Sequence, residues 1–188
     1  MNITFIGMPS SGKSTIGVLL AKRLGMNFID LDIVIQEKTG KLLKEIIAEQ
    51  GNEGFLKIEG DTAASIHPGN AVIAPGGSIC YEDWGMQHLK EISTVVYLKI
   101  SYEEMCRRVG NVVDRGVAIP EGYTLRDLYD ERTRLYEKYA DITVDEEGMD
   151  FGQVVDQLRE VFERAEAEMR KKFRSEDIVI SKEGREAR

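Results

Sequence analysis

The sequence predicts an α/β fold, a parallel sheet flanked by helices, and three observations carry that expectation. Strand-like apolar runs recur at residues 3–6, 27–30, 71–74, 94–100 and 142–144. Segments with helical apolar spacing lie between most of them, the alternation expected of parallel strands joined by crossover helices. Directly behind the first run stands Gly7-Met8-Pro9-Ser10-Ser11-Gly12-Lys13-Ser14-Thr15, with the G-x-x-x-x-G-K-S spacing of a phosphate-binding loop.

Each element follows in turn. After strand 3–6, glycines let the loop curl so that successive backbone N–H groups face a nucleotide's phosphates. Lys13 is placed to reach the β and γ phosphates, and Ser14 to offer its hydroxyl to Mg²⁺. Pro9, Ser10, Ser11, Gly12 and Thr15 complete the nucleotide-binding stretch. The helix over 14–24 aims its positive end at the same charge. Strand 27–30 runs into Asp30-Leu31-Asp32, and helices are expected over 32–39, 42–50 and 53–65. Strand 71–74 ends in Pro75-Gly76-Gly77-Ser78, followed by helix 83–89, strand 94–100 and helix 101–109. Residues 110–122 hold three glycines and Pro120 between two helices, long enough for a mobile lid. Helix 124–139, strand 142–144 and helix 151–171 complete a single domain over 1–174. The tail, 175–188, mixes charges around Ile178-Val179-Ile180 and is expected to be loosely attached.

Composition narrows the partners. A net charge of −8 argues against nucleic acid, whose phosphates need a basic face. No apolar run is long enough to span a bilayer, and the N-terminus enters a strand without a basic leader, so no membrane partner and a cytoplasmic location are expected. Cys80 and Cys106 lie on separate elements and are expected to stay reduced. The oligomeric state expected is monomer or weak dimer.

In an open parallel sheet, ligands bind beyond the carboxyl ends of the strands. The phosphate loop, Asp30-Leu31-Asp32 and Pro75-Gly76-Gly77-Ser78 should therefore converge. Asp30 leaves its strand beside the loop and suits the metal through water. Asp32 suits the hydrogen bond of an attacking hydroxyl, as base or orienter, although an aspartate there also suits capping the next helix. Gly76-Gly77 lets backbone approach a small ligand closely, or makes a tight turn. Arg115, inside 110–122, suits the charge that develops on a transferred phosphoryl group. Arg107 and Arg108 end a helix, where its dipole favours cations regardless of function. Arg132 and Arg134 share the helix after the lid, and spacing alone does not choose between them.

With the loop, the aspartate pair, the double glycine and the lid arginine in this order, the chain resembles the shikimate kinase family from Met1 to about Asp145. Its more specific parts are Asp30-Leu31-Asp32, Gly54-Phe55 to Glu59, Pro75-Gly76-Gly77 and Arg132-x-x-Leu135-Tyr136. The resemblance implies a P-loop kinase with a five-stranded parallel sheet and a mobile lid. It implies Mg²⁺-dependent transfer of the ATP γ-phosphoryl group to an alcohol. It also implies that Asp32 binds the acceptor's hydroxyls and Asp30 lies near the metal. Gly76 and Gly77 would contact the acceptor, Arg132 would pair with its carboxylate, Arg115 would be the lid arginine, and Arg108 would pack on adenine.

The departures fall on the acceptor side. Leu56 stands where the family's second carboxylate-binding arginine belongs, and Ser78 replaces a third glycine. A charge-assisted hydrogen bond is worth about 1.5–3 kcal/mol, so that loss weakens shikimate binding by about tenfold to over a hundredfold. Lys57 is a poor substitute, since one helical step turns it by about 100°; Arg134 is the other candidate. The lid also has Gly116-Val117-Ala118 after its arginine in place of the common Pro-Leu. Shikimate is the first acceptor expected. Homoserine, a small hydroxy amino acid, is the alternative: Arg132 for its carboxylate, Asp32 for hydroxyl or ammonium, Leu56 for a methylene. Gluconate also fits by charge. A nucleotide-dependent regulatory module is a more distant alternative, and no Asn/Thr-Lys-x-Asp segment for reading guanine is present.

Overall fold

The computed structural model describes residues 1–110, 117–120 and 122–186, with side chains among them up to 168. Every expected strand is present: β1 (Asn2–Ile6), β2 (Asn27–Asp30), β3 (Ala71–Ala74), β4 (Thr94–Lys99) and β5 (Ile142–Asp145). They form one parallel sheet in the order β2-β3-β1-β4-β5. The chain passes from β1 to one side for β2 and β3, then crosses over β1 to β4. That reversal puts a crevice at the carboxyl end of β1, where the phosphate loop begins.

The helices are α1 (Lys13–Leu24), α2 (Leu31–Thr39), α3 (Leu43–Ser65), α4 (Asp83–Ile92), α5 (Tyr102–Val109), α6 (Leu125–Tyr139) and α7 (Phe151–Glu186). The helices expected over 42–50 and 53–65 join as α3, broken by Gly51 at φ 72°, ψ −179°. A short 3₁₀ turn, Gly77–Tyr81, was not anticipated, and α7 continues past the expected end at 171.

Both faces of the sheet are covered, so the central strands are apolar at successive residues while still obeying period two. Ile73, Val95 and Tyr97 face one way, into a core with Met86 and Leu89 of α4 and Tyr136 and Tyr139 of α6. Ile3, Phe5, Val72, Val96 and Leu98 face the other way, against Ile16 and Leu20 of α1 and Val154 and Leu158 of α7. A third cluster, Ile35, Ile46, Phe55 and Ala118, packs beside the crevice. Among the described residues no helix is long and apolar enough to cross a membrane. Both cysteines are free thiols, Cys80 buried and Cys106 exposed.

Candidate active site

The loop after β1 is shaped by backbone demands that its sequence meets. Gly12 sits at φ 94°, where side chains are disfavoured. A Cβ there would come within 2.9 Å of Phe151 Cε1, so the first residue of α7 packs directly on the loop. The Gly12 carbonyl accepts from Ile16 N–H at 2.8 Å, starting α1. Lys13 is buried, and its Nζ donates to the carbonyls of Gly7 (2.8 Å) and Met8 (3.0 Å). Burial lowers its pKa to about 8, opposed by the Asp32 carboxylate.

Asp30 ends β2, and its two carboxylate oxygens have separate partners. Oδ1 accepts from Asp32 N–H at 3.0 Å and caps α2, while Oδ2 accepts from Ser14 Oγ at 2.7 Å. The capping considered for Asp32 therefore belongs to Asp30, because a cap bonds the N–H two or three residues after itself. Asp32 is left with its carboxylate directed into the crevice, and its buried Oδ1 has no hydrogen-bond partner. Burial, then repulsion from Asp30, raises its pKa to about 6.

Across from it lies the turn after β3. Ser78 Oγ donates to Glu59 Oε2 at 2.6 Å. Glu59 is 0% exposed, and burial pushes it up to about 8 despite the Ser78 bond. Its other oxygen, Oε1, has no partner. A Cβ on Gly76 would stand 2.3 Å from Glu59 Oε1 and 3.1 Å from Asp32 Oδ1. Gly76→Ala is therefore expected to lower stability by about 1–3 kcal/mol, the cost of overpacking, read as a lower Tm. The same variant should raise KM for the acceptor more than KM for ATP.

Arg132 reaches the same crevice from α6, where it shares the buried face of Leu128, Tyr136 and Tyr139. It is 1% exposed. One guanidinium N–H donates to Ala118 O at 2.7 Å, Nε donates to Tyr81 Oη at 3.5 Å, and the group lies 5.2 Å over the Tyr81 ring. Its Nη1 is 3.3 Å from where a Gly77 Cβ would stand. Tyr136 Oη donates to Gly77 O at 2.6 Å and fixes that turn. Arg134, on the same helix, is exposed.

One cleft of about 520 Å³ collects these groups. Pro9, Ser10, Gly12, Lys13, Ser14 and Thr15 line its loop side, with Arg108 and Phe151 at that end. Asp32, Gly76, Gly77, Ser78 and Arg132 line the opposite side, with Leu43, Phe55, Val117 and Ala118 as an apolar wall. Arg108 lies 5.3 Å over the Phe151 ring and pairs with Glu146 (3.0 Å) and Glu104. Three expected site residues do not line the cleft. Ser11 is buried, and Asp30 is held by the Ser14 hydroxyl. Leu56 is half-buried and does not line the cleft; Phe55, one step round the helix, does. Arg115 lies outside the described residues.

Sequence reasoning passed over Glu59, Phe55, Tyr81 and Phe151 as site residues. The spacing of Phe55, Glu59 and Ala63, all buried on α3, is a readable signal, since i, i+4 neighbours share a face. A carboxylate on that face has either a partner or a task.

Comparison with known proteins agrees with this arrangement. The family model described as shikimate kinase matches residues 9–163. The chain is 40% identical to the shikimate kinase of Mycobacterium avium over 153 residues, covering 80% of this chain and 86% of that one. It is 34% identical to threonine synthase-like 1 of Mus musculus over 166 residues, covering 87% of this chain but 22% of the mouse protein. Among solved structures, Acinetobacter baumannii shikimate kinase in complex with shikimate superposes with a TM-score of 0.77 at 27% identity, covering 87% of this chain and 93% of that one. On the matched length, the shared sheet and the phosphate loop together, the chain belongs to the shikimate kinase family.

Proposed function

We propose that this chain transfers the γ-phosphoryl group of Mg-ATP to the hydroxyl of a small carboxylate-bearing alcohol. The observation that carries the reading is the single cleft with Lys13 on one side and Asp32 and Arg132 on the other. Ser14 Oγ and Asp30, already hydrogen-bonded at the start of α1, are the oxygen donors suited to Mg²⁺, which takes one or two protein ligands beside phosphate and water. When bound, the metal supplies charge neutralisation on the phosphate oxygens. The acceptor's hydroxyl oxygen attacks the γ-phosphorus and forms the new O–P bond. The bond from γ-phosphorus to the bridging oxygen breaks with its electron pair going to the ADP leaving group, and the hydroxyl proton passes to Asp32. Lys13 balances charge on the β and γ phosphates, Arg108 and Phe151 hold the base end, and Arg115 is assigned to the transferring group.

Kinship supports shikimate as the acceptor. Leu56, an aliphatic residue turned away from the cleft, leaves one buried guanidinium for a carboxylate and favours a second acceptor, homoserine. A coupled assay of ADP release with shikimate and with homoserine tests the reading. Nucleotide binding with no turnover on either would support a nucleotide-dependent regulatory module. Arg132→Met is expected to raise KM for the acceptor by about tenfold to a hundredfold, the worth of a charge-assisted hydrogen bond. KM for ATP should change by less than threefold, by the same comparison of contacts.

A further inference from the structure

Asp32 Oδ1 and Glu59 Oε1 are both buried, both lack a hydrogen-bond partner, and both approach the one point beside Gly76 that only glycine leaves open. They come from different elements, α2 and α3, so their meeting is built by the fold. Lys13 acts on both carboxyls and Arg132 on Glu59 through charge, but Lys13 donates to the carbonyls of Gly7 and Met8 and Arg132 to Ala118 O and Tyr81, and neither donates to these two oxygens. Ser78 occupies Glu59 Oε2 alone and leaves Oε1 open. What the two oxygens lack is a donor, and an ammonium group brings three, enough for both.

We infer that Asp32 and Glu59 form a subsite for an ammonium group, and that the acceptor this chain prefers is a small hydroxy amino acid. The inference rests on the kinase reading above and names its substrate class. Arg132 is then left for the carboxylate, and the Phe55, Leu43 and Ala118 wall covers the carbon chain between the polar ends. The raised pKa of Glu59 agrees: burial first, and the Asp32 carboxylate after it, favour a proton where a cation would otherwise sit.

The test compares L-homoserine with 4-hydroxybutyrate, the same chain without the amino group, and with shikimate, using the full chain and Mg-ATP. The inference expects kcat/KM for homoserine to exceed that for 4-hydroxybutyrate by about tenfold to a hundredfold, the worth of a charge-assisted hydrogen bond. Glu59→Gln keeps the shape and removes the charge, and should bring the two to within about threefold of each other. Equal use of homoserine and 4-hydroxybutyrate by the wild-type chain overturns the subsite, and so does a preference for shikimate over both. In either case the kinase reading stands. No turnover on any of the three overturns that reading and the subsite with it.

Discussion

Replacing Lys13 by methionine is expected to lower kcat by about 10²–10³-fold, the usual cost of removing one preorganised group from a developing charge. Lys13 is the loop's own cation, and its Nζ rests on the Gly7 and Met8 carbonyls at the loop's mouth. Methionine keeps the length and apolar stem of the side chain, so the fold is retained and the loss is read in turnover. Thermal melts check this. Burial lowers the Lys13 pKa from 10.5 to about 8, so the folded state binds this proton less well than the unfolded chain. The resulting destabilisation is fully present below about pH 8 and fades as pH rises towards 10.5. Any advantage in Tm of the methionine variant should shrink over that same interval.

Asp32→Asn is expected to cost about 10²–10⁴-fold in kcat, the range for a positioned general base. Its pH profile separates this role from a packing one. Asp32 titrates near pH 6 because burial and Asp30 both oppose its ionisation. As pH falls through that value the carboxylate takes up a proton and cannot accept another. In the wild-type chain, kcat/KM for the acceptor should therefore rise with pH and level off above about 6. The asparagine variant should lack that limb. A variant with the same limb at reduced height would assign the limb to another group.

The strands were legible because every one is a short apolar run bounded by turn residues, and the parallel order follows from the helices between them. Gly51 shows where the sequence signal was right in kind but coarse: two helical stretches were evident, and the break between them is one residue in the left-handed region. The donor side of the site was legible because the loop is contiguous in sequence. The acceptor side was harder, since its groups come from α2, α3, the turn after β3 and α6. Arg132 illustrates the difficulty. Leu128, Arg132 and Tyr136 recur at four-residue spacing, which selects Arg132 over Arg134 once that face is known to be buried. Leu56 drew attention through its position in a family motif, yet the helix turns Phe55 and Glu59 inward instead. The pairing of two orphaned carboxylate oxygens about Gly76 depends on a contact between elements distant in sequence, and no local pattern announces it.

The ring of Phe151 lies on Gly12, and Arg108 lies over the same ring. The phosphate loop leaves the ribosome well before the surface it rests against, which is made some 140 residues later, at the first residue of α7. A nascent chain that stops short of Phe151 carries the whole loop sequence and β1 to β5, yet the loop lacks its backing. Order of synthesis thus separates having the nucleotide motif from having a finished nucleotide site, and the emergence of α7 closes that interval.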